Sequence, residues 1–140
     1  MATTTREGEE RRYARRKAVK LPATFRILHE GSTLEDMRLS DVAGGEIRDL
    51  GPHGVGMHTA QIIVDGVHIA RLTPAHTAPR VFLQCLLPGD KTVRAVGRCV
   101  RCEQLTGTPR TFHVGLRLIE ISAGDRAALQ AFIAPRAARE

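Results

Sequence analysis

Apolar and polar residues alternate along several short stretches of the chain, a pattern typical of β-strands with one buried face. Between residues 19 and 27, apolar side chains fall on one face and polar side chains on the other. The same alternation returns between residues 111 and 119. Further strands are predicted at residues 46–49, 55–59, 62–64, 67–70, 81–87 and 92–103.

Turn-forming residues separate these predicted strands. Asp65-Gly66 is a strong signal for a two-residue hairpin. The polar, glycine-punctuated stretch 30–45 predicts a loop, and two prolines in residues 74–79 interrupt regular structure. Short strands at this spacing favour an antiparallel barrel or sandwich.

Only the C-terminal region predicts a helix, over residues 122–134. Ser122 is a candidate N-cap, with Asp125 three residues later as in a loose capping box. Apolar residues then follow at helical spacing and form one stripe. A single terminal helix of this kind would cover one face or end of the sheet.

The composition is that of one soluble domain. The chain has 140 residues, of which 42% are hydrophobic and 26% charged. With four Phe, one Tyr and no Trp, the core must rest on aliphatic side chains. No stretch approaches the ~20 apolar residues of a membrane span, and the N-terminus lacks the apolar segment of a secretory signal. We therefore expect a cytoplasmic protein without a membrane partner.

Positive charge is concentrated near the N-terminus. The formal net charge is +6, and residues 11–17 hold five cations. Such a block favours a phosphate-bearing partner, although a solvated, disordered arm is the simpler alternative. The predicted organisation is a disordered tail (1–10), a domain (11–134) with a basic arm (11–17), and a short tail (135–140).

The three cysteines do not predict a disulfide or a metal site. Their number is odd and no export signal accompanies them. Cys99 and Cys102 form a C-x-x-C pair, but residues three apart on a strand point to opposite faces and chelate poorly. We expect small buried side chains, with no metal and no cofactor. No catalytic motif is present either, so the sequence does not predict an enzyme.

Two motifs carry the functional signal. Arg12 and Arg16 form an R-x-x-x-R element just before the first strand, and Asp49-Leu50-Gly51-Pro52-His53-Gly54 forms a D-x-G-x-x-G turn between two early strands. In this order they resemble the PilZ family, marked by R-x-x-x-R and then [D/N]-x-S-x-x-G at a strand-to-strand turn. The resemblance runs from about residue 11 to about residue 133. It implies a small antiparallel Greek-key β-barrel with the C-terminal helix packed on it, and a receptor for cyclic di-GMP.

The resemblance also implies roles for individual residues. Arg12 and Arg16 would bind the phosphates or the guanine O6/N7 edge. Asp49 would accept hydrogen bonds from the guanine N1–H and N2–H groups, and Gly54 would let the backbone approach the base. Gly51 stands where the family has Ser. Loss of that hydroxyl contact costs about 0.5–1.5 kcal/mol, or roughly tenfold in affinity at most.

Three further arginines are candidate ligand contacts. Arg11 and Arg15 form a second R-x-x-x-R frame, and Arg98 lies on the predicted strand 92–103. The hypothesis is thus a receptor that binds cyclic di-GMP, rearranges its arginine arm and signals to a separate downstream protein. The alternative is a degenerate PilZ-like adaptor that binds a protein partner, with Asp49 only capping its own turn. A nucleic-acid partner is disfavoured because the chain lacks an aromatic stacking platform.

Overall fold

The computed structural model describes most of the chain. Its described residues are 16–29, 31–32, 36–72, 76–107 and 110–134. The predicted tails 1–10 and 135–140 lie outside the described residues, as do Arg11, Arg12 and Arg15 of the basic arm.

The described chain forms β-strands followed by one helix. The strands are β1 (Lys17–Ile27), β2 (Ala43–Leu50), β3 (Gly54–Thr59), β4 (Ile63–Val64), β5 (Val67–His68), β6 (Arg80–Leu87), β7 (Lys91–Gln104) and β8 (Phe112–Ile121), and the helix α1 is Ala123–Ile133.

Six of these strands close into an antiparallel barrel in the order β1-β2-β3-β8-β7-β6, since β1 pairs with both β2 and β6. The small β4-β5 hairpin lies in the long connection from β3 to β6. That connection brings β3 beside β8, which makes β3, β6, β7 and β8 a Greek key. The predicted fold class is confirmed.

Alternation along the strands fills the barrel with aliphatic side chains. On β1, Leu21, Ala23, Phe25 and Ile27 are at most 7% exposed, as their spacing predicted. Their polar neighbours point outward because successive strand residues face opposite ways. The predicted hairpin is also confirmed: Asp65-Gly66 joins β4 to β5 with both residues at positive φ, as a type I′ turn requires.

Strand β2 begins earlier than predicted, at residue 43 and not at residue 46. Ala43 pairs with Phe25 and is buried, so it belongs to the core and not to a loop. Gly44 and Gly45, two of the glycines that suggested a loop, are part of the strand. A Cβ on Gly45 would lie 2.6 Å from the Sδ atom of Met57, so packing of that buried methionine requires glycine there.

The prediction that Cys99 and Cys102 face opposite ways is wrong. The register is irregular between Cys99 and residue 101, and Val100 is the extra residue of this β-bulge. As a result Cys99 lies opposite Leu116, and Cys102 lies opposite Val114. Both thiols therefore share the inner face. All three cysteines are free, and burial raises the pKa of the Cys85 thiol to about 11.

Helix α1 packs against the barrel and contacts both the first strand and the turn after β2. Ser122 is its N-cap, accepting a hydrogen bond from the Asp125 N–H, as predicted. At its C-terminal end, Lys17 Nζ donates to the Phe132 carbonyl at 3.1 Å and lies 4.2 Å from the ring centroid. Within the described ranges, no helix is long and apolar enough to span a membrane.

Strands β2, β3 and β8 carry a polar cluster on the outer face. Arg48 Nη1 lies 3.4 Å from His58 Nδ1, and the rings of His58 and His113 meet edge to face at 5.3 Å. Burial, the Arg48 charge and His113 together lower the pKa of His58. The folded protein therefore favours neutral His58, which can accept a hydrogen bond from Arg48.

Replacing Leu129 by Ala should destabilise the fold by about 2–5 kcal/mol, because Leu129 is the buried residue of α1 and its loss leaves a cavity. Urea unfolding followed by circular dichroism measures the free energy of unfolding. Gln130→Ala, on the exposed side of the helix, is the matched control and should change that value by less than about 0.5 kcal/mol. Equal effects of the two variants would contradict the described packing.

Acidification should weaken the fold through His58. Because its pKa is lower in the folded protein than its ordinary value of 6.5, the unfolded chain takes up this proton first. The stability that neutral His58 contributes is present above pH 6.5 and is lost as the pH falls through the folded-state pKa. Urea unfolding at pH 7.5 and 5.5 should show a smaller pH dependence for His58→Gln than for the unmodified chain. Identical pH dependence would contradict this expectation.

Candidate ligand-binding site

The D-x-G-x-x-G turn joins β2 to β3 on the outside of the barrel. The Gly51 N–H donates to the Gly54 carbonyl at 2.9 Å and closes the turn. The flanking Leu50 and Val55 are 1% and 3% exposed and point into the core. Asp49, next to Leu50, therefore faces outward.

Arg16 and Asp49 form an ion pair beside this turn. Pairing of Lys17 with Leu50 at the start of β1 places Arg16 next to the end of β2. Arg16 Nε donates to Asp49 Oδ1 at 2.8 Å, and Arg16 Nη2 donates to the same oxygen. The two side chains are 38% and 30% exposed. An ion pair this exposed contributes about 0–1 kcal/mol, so a ligand can replace it at small cost.

Gly56 and Gly115 pair with each other on neighbouring strands beside the ion pair, and we call them the glycine row. Asp49 lies opposite Gly56, Gly56 opposite Gly115, and Gly115 opposite Arg101, so these four residues lie side by side across β2, β3, β8 and β7. A Cβ on Gly56 would overlap Asp49 Oδ2 and would lie 3.0 Å from the His113 Cε1 atom. Glycine at position 56 therefore lets the carboxylate lie over the neighbouring strand.

Gly54 has a packing role in the barrel. A Cβ at this position would lie 2.9 Å from the Leu116 carbonyl oxygen of β8, which is too close for a side chain. Pairing of β3 with β8 at this point therefore requires glycine. The approach of a guanine base to Gly54, implied by the resemblance, remains a prediction.

An open cleft of about 670 Å³ lies over this surface, and we call it the first cleft. Its volume is within the ~300–1,000 Å³ range of small-molecule sites. It is lined by Arg16, Asp49, Gly51, Pro52, His53, Gly54, Val55, Val100, Arg101, His113, Gly115, Leu116 and Arg117.

The charge lining the first cleft is predominantly positive. Arg16, Arg101 and Arg117 face it with Asp49 as the lining carboxylate. Arg101 also pairs with Glu103, its Nε lying 3.3 Å from the carboxylate, but both side chains are more than half exposed. Such pairs are weak and easily exchanged. The cleft therefore suits an anionic ligand with flat or polar groups that can reach the backbone of Gly51, Gly54 and Gly115.

The structure brings together four of the predicted site residues and separates one. Arg16, Asp49, Gly51 and Gly54 all line the first cleft. Arg98 does not: it lines a different cleft, with Arg80 of β6. Arg98 pairs with Arg80 on one side and with Arg117 on the other, and like these two arginines it lies on the outer face. It lines the cleft beside β6 together with Arg80.

Of the three arginines that the sequence places on the predicted strands 92–103 and 111–119 as possible wall cations, Arg98, Arg101 and Arg117, only Arg98 was selected for the site, and His113 was not selected. Arg117 follows the alternation of β8 and was recognisable as outward-facing. Arg101 was not, because strict alternation places it on the face opposite Arg98, and only the bulge at Val100 turns both outward. Within the described ranges, no three His, Cys, Asp or Glu side chains are grouped to hold a metal ion.

Comparisons with solved structures find the same barrel. The Bacillus subtilis inhibitor of motility, MotI/DgrA, is similar with a TM-score of 0.57 and 16% identity, over 89% of this chain and 50% of that one. This chain thus spans about half the length of that protein. The c-di-GMP-bound PilZ domain of YcgR from Escherichia coli has a TM-score of 0.54 and 12% identity, over 84% of this chain and 85% of that domain.

A structure of YcgR from Escherichia coli in complex with c-di-GMP is also similar, with a TM-score of 0.51 and 11% identity over 84% of this chain and 42% of that one. Identities this low establish the fold alone. A search of curated protein sequences gives no match. The family model of the PilZ domain, however, matches residues 9–134. Since this match covers most of the 140 residues, the chain belongs to the PilZ domain family.

Proposed function

We propose that this chain is a cyclic di-GMP receptor whose ligand binds in the first cleft, between the arginine arm and the D-x-G-x-x-G turn. The observation that carries the proposal is the exposed Arg16–Asp49 ion pair beside the glycine row. Family membership supports it, as do the similar YcgR structures, which were solved with c-di-GMP.

The free hydrogen-bonding capacity of the ion pair fits this ligand. Arg16 donates twice to Asp49 Oδ1, and Oδ2 has no hydrogen bond to any described residue. Oδ2 can therefore accept from the guanine N1–H and N2–H₂ groups. The Arg16 guanidinium can leave Asp49 and bind a phosphodiester or the guanine O6/N7 edge in bidentate geometry. Arg12, four residues earlier in the sequence, supplies a second guanidinium in this proposal.

Helix α1 offers a route by which movement of the arm can be transmitted. Lys17, next to Arg16, binds the C-terminal end of the helix through the Phe132 carbonyl and ring. Near the other end, Arg126 Nη1 donates to the Pro52 carbonyl of the turn at 3.4 Å. A ligand that moves the arm relative to the turn therefore acts on both ends of α1. In this proposal a separate downstream protein reads that change.

Arg16→Ala should weaken cyclic di-GMP binding at least tenfold, about 1.4 kcal/mol, and Arg12→Ala combined with Arg16→Ala should abolish it at micromolar protein. Isothermal titration calorimetry measures both affinities. Arg94→Ala is the matched control, because Arg94 is an exposed arginine of β7 that does not line the first cleft. It should bind like the unmodified chain.

The same titration separates the outcomes. Affinity unchanged in Arg16→Ala would remove Arg16 from the site. An equal loss in Arg94→Ala would mean that net charge, and not the first cleft, determines binding. Absence of binding by the unmodified chain would contradict the receptor proposal and leave the alternative of an adaptor for a protein partner.

Gly51→Ser should strengthen binding by up to about tenfold, because it restores the hydroxyl of the family motif, worth about 0.5–1.5 kcal/mol. The site has room for it. A Cβ at position 51 would lie 3.3 Å from Arg16 Cγ and 3.6 Å from the Gly54 oxygen, so a small shift of the Arg16 side chain suffices. Titration calorimetry of Gly51→Ser and Gly51→Ala provides the comparison. Weaker binding by both variants would show that the arginine needs the space that glycine leaves.

A further inference from the structure

A second cleft, of about 380 Å³, lies at the end of the barrel where β1 finishes and β6 begins. Its walls are mainly apolar and include Ile27, Val67 and Pro79. Arg80 and Arg98 also line it, and no described carboxylate does. This charge is therefore set in apolar surroundings, where electrostatic attraction is stronger than in water.

The two arginines are direct neighbours on adjacent strands. Arg80 of β6 pairs with Arg98 of β7, and Arg98 pairs in turn with Arg117 of β8. Like charges placed directly opposite in a sheet repel one another. No described carboxylate forms an ion pair with any of these three residues. An anion bound between Arg80 and Arg98 would relieve this repulsion.

The donors at this position are held in place but incompletely used. Arg80 Nη2 donates to the Ser32 carbonyl at 3.2 Å, which holds that side chain in position. The Arg98 Nε–H is buried and has no hydrogen-bond partner among the described residues. Buried polar groups in folded proteins nearly always have a partner, so an unused buried donor on a cleft-lining residue is unusual, and a small movement of the Arg98 side chain would bring it to a ligand in the cleft.

From this geometry we infer a second anion site, separate from the first cleft, in which Arg80 and Arg98 together bind one phosphate group. A phosphate monoester carries close to two negative charges and three terminal oxygens, which match two neighbouring guanidinium groups better than the single charge of a carboxylate does. The cleft volume is in the range of small-molecule sites. The ligand class is therefore a phosphate monoester with an organic body that contacts the apolar walls.

The site can be tested through the side-chain Nε–H signals of arginine in ¹H–¹⁵N NMR spectra of the full chain. The Arg98 signal, assigned as the one missing from Arg98→Gln, should shift saturably when phenyl phosphate or adenosine monophosphate is added at constant ionic strength. Inorganic phosphate should bind at least tenfold more weakly, since it lacks the organic body. If it binds as tightly as the esters, the inferred contact with the apolar walls is wrong.

Substitutions of Arg80 and Arg98 test the position of the second anion site, with substitution of Arg94 as the control. Arg98→Gln and Arg80→Gln should each weaken phenyl phosphate binding at least tenfold, as measured through amide signals near Val67, while Arg94→Gln should not. Arg98→Lys keeps the charge but loses the fork, and should also weaken binding. If Arg98→Lys binds phenyl phosphate as tightly as the unmodified chain does, the inference that the Arg98 guanidinium binds through two hydrogen bonds is wrong.

Two outcomes would refute the inference, and neither depends on the proposed cyclic di-GMP site. The first is an Arg98 signal that shifts no more with phosphate esters than with sodium chloride. The second is equal loss of phenyl phosphate binding in Arg16→Ala, which would assign the ester to the first cleft. Conversely, Arg98→Gln should leave the affinity for cyclic di-GMP within about twofold of the unmodified chain.

Discussion

Strand β1 forms one hydrogen-bonded ladder with β2 and another with β6, and this double pairing closes the barrel. Its first residue, Lys17, pairs with Leu50, whereas its last residue, Ile27, pairs with Val81. The ladder is therefore shifted along the strand on going once around the barrel, as closure with tilted strands requires. This shift places the root of the arm beside the turn after β2 and leaves the other end of β1 beside Arg80.

Alternation along the closed strands also determines the site, which consists of glycines flanked by charged side chains. Alternation puts Val55, Val114 and Leu116 inside, so the outward positions between them decide what a ligand meets. Those positions include Gly56, which is buried beneath the Asp49 carboxylate, and the partly exposed Gly115, with Arg101 at the far end of the row. A flat, anionic ligand matches this arrangement better than a bulky apolar one. The burial that stabilises the barrel thus leaves the outer face available for binding.

The sequence was informative where the determinants are local. Alternation predicted the buried face of β1, Asp65-Gly66 predicted the hairpin, and the order of the two motifs predicted the family and the barrel. It was not informative where contacts between distant parts of the chain determine strand boundaries and side-chain orientation. The early start of β2 depends on the pairing of Ala43 with the distant Phe25. The faces of Cys102 and Arg101 depend on a bulge that forms only when β7 pairs with β8. Which arginine reaches which cleft follows from that register.

The weakness of the Arg16–Asp49 contact fits the proposed rearrangement of the arm better than a purely structural role. Were this ion pair buried, removing one partner would cost about 3–5 kcal/mol, and the arm could not leave without disturbing the fold. At its observed exposure the contact contributes about 0–1 kcal/mol. The Lys17 contact with the Phe132 carbonyl and ring begins one residue later and is partly buried. In the proposed receptor, displacement of Arg16 would therefore pass through Lys17 to the C-terminal end of α1.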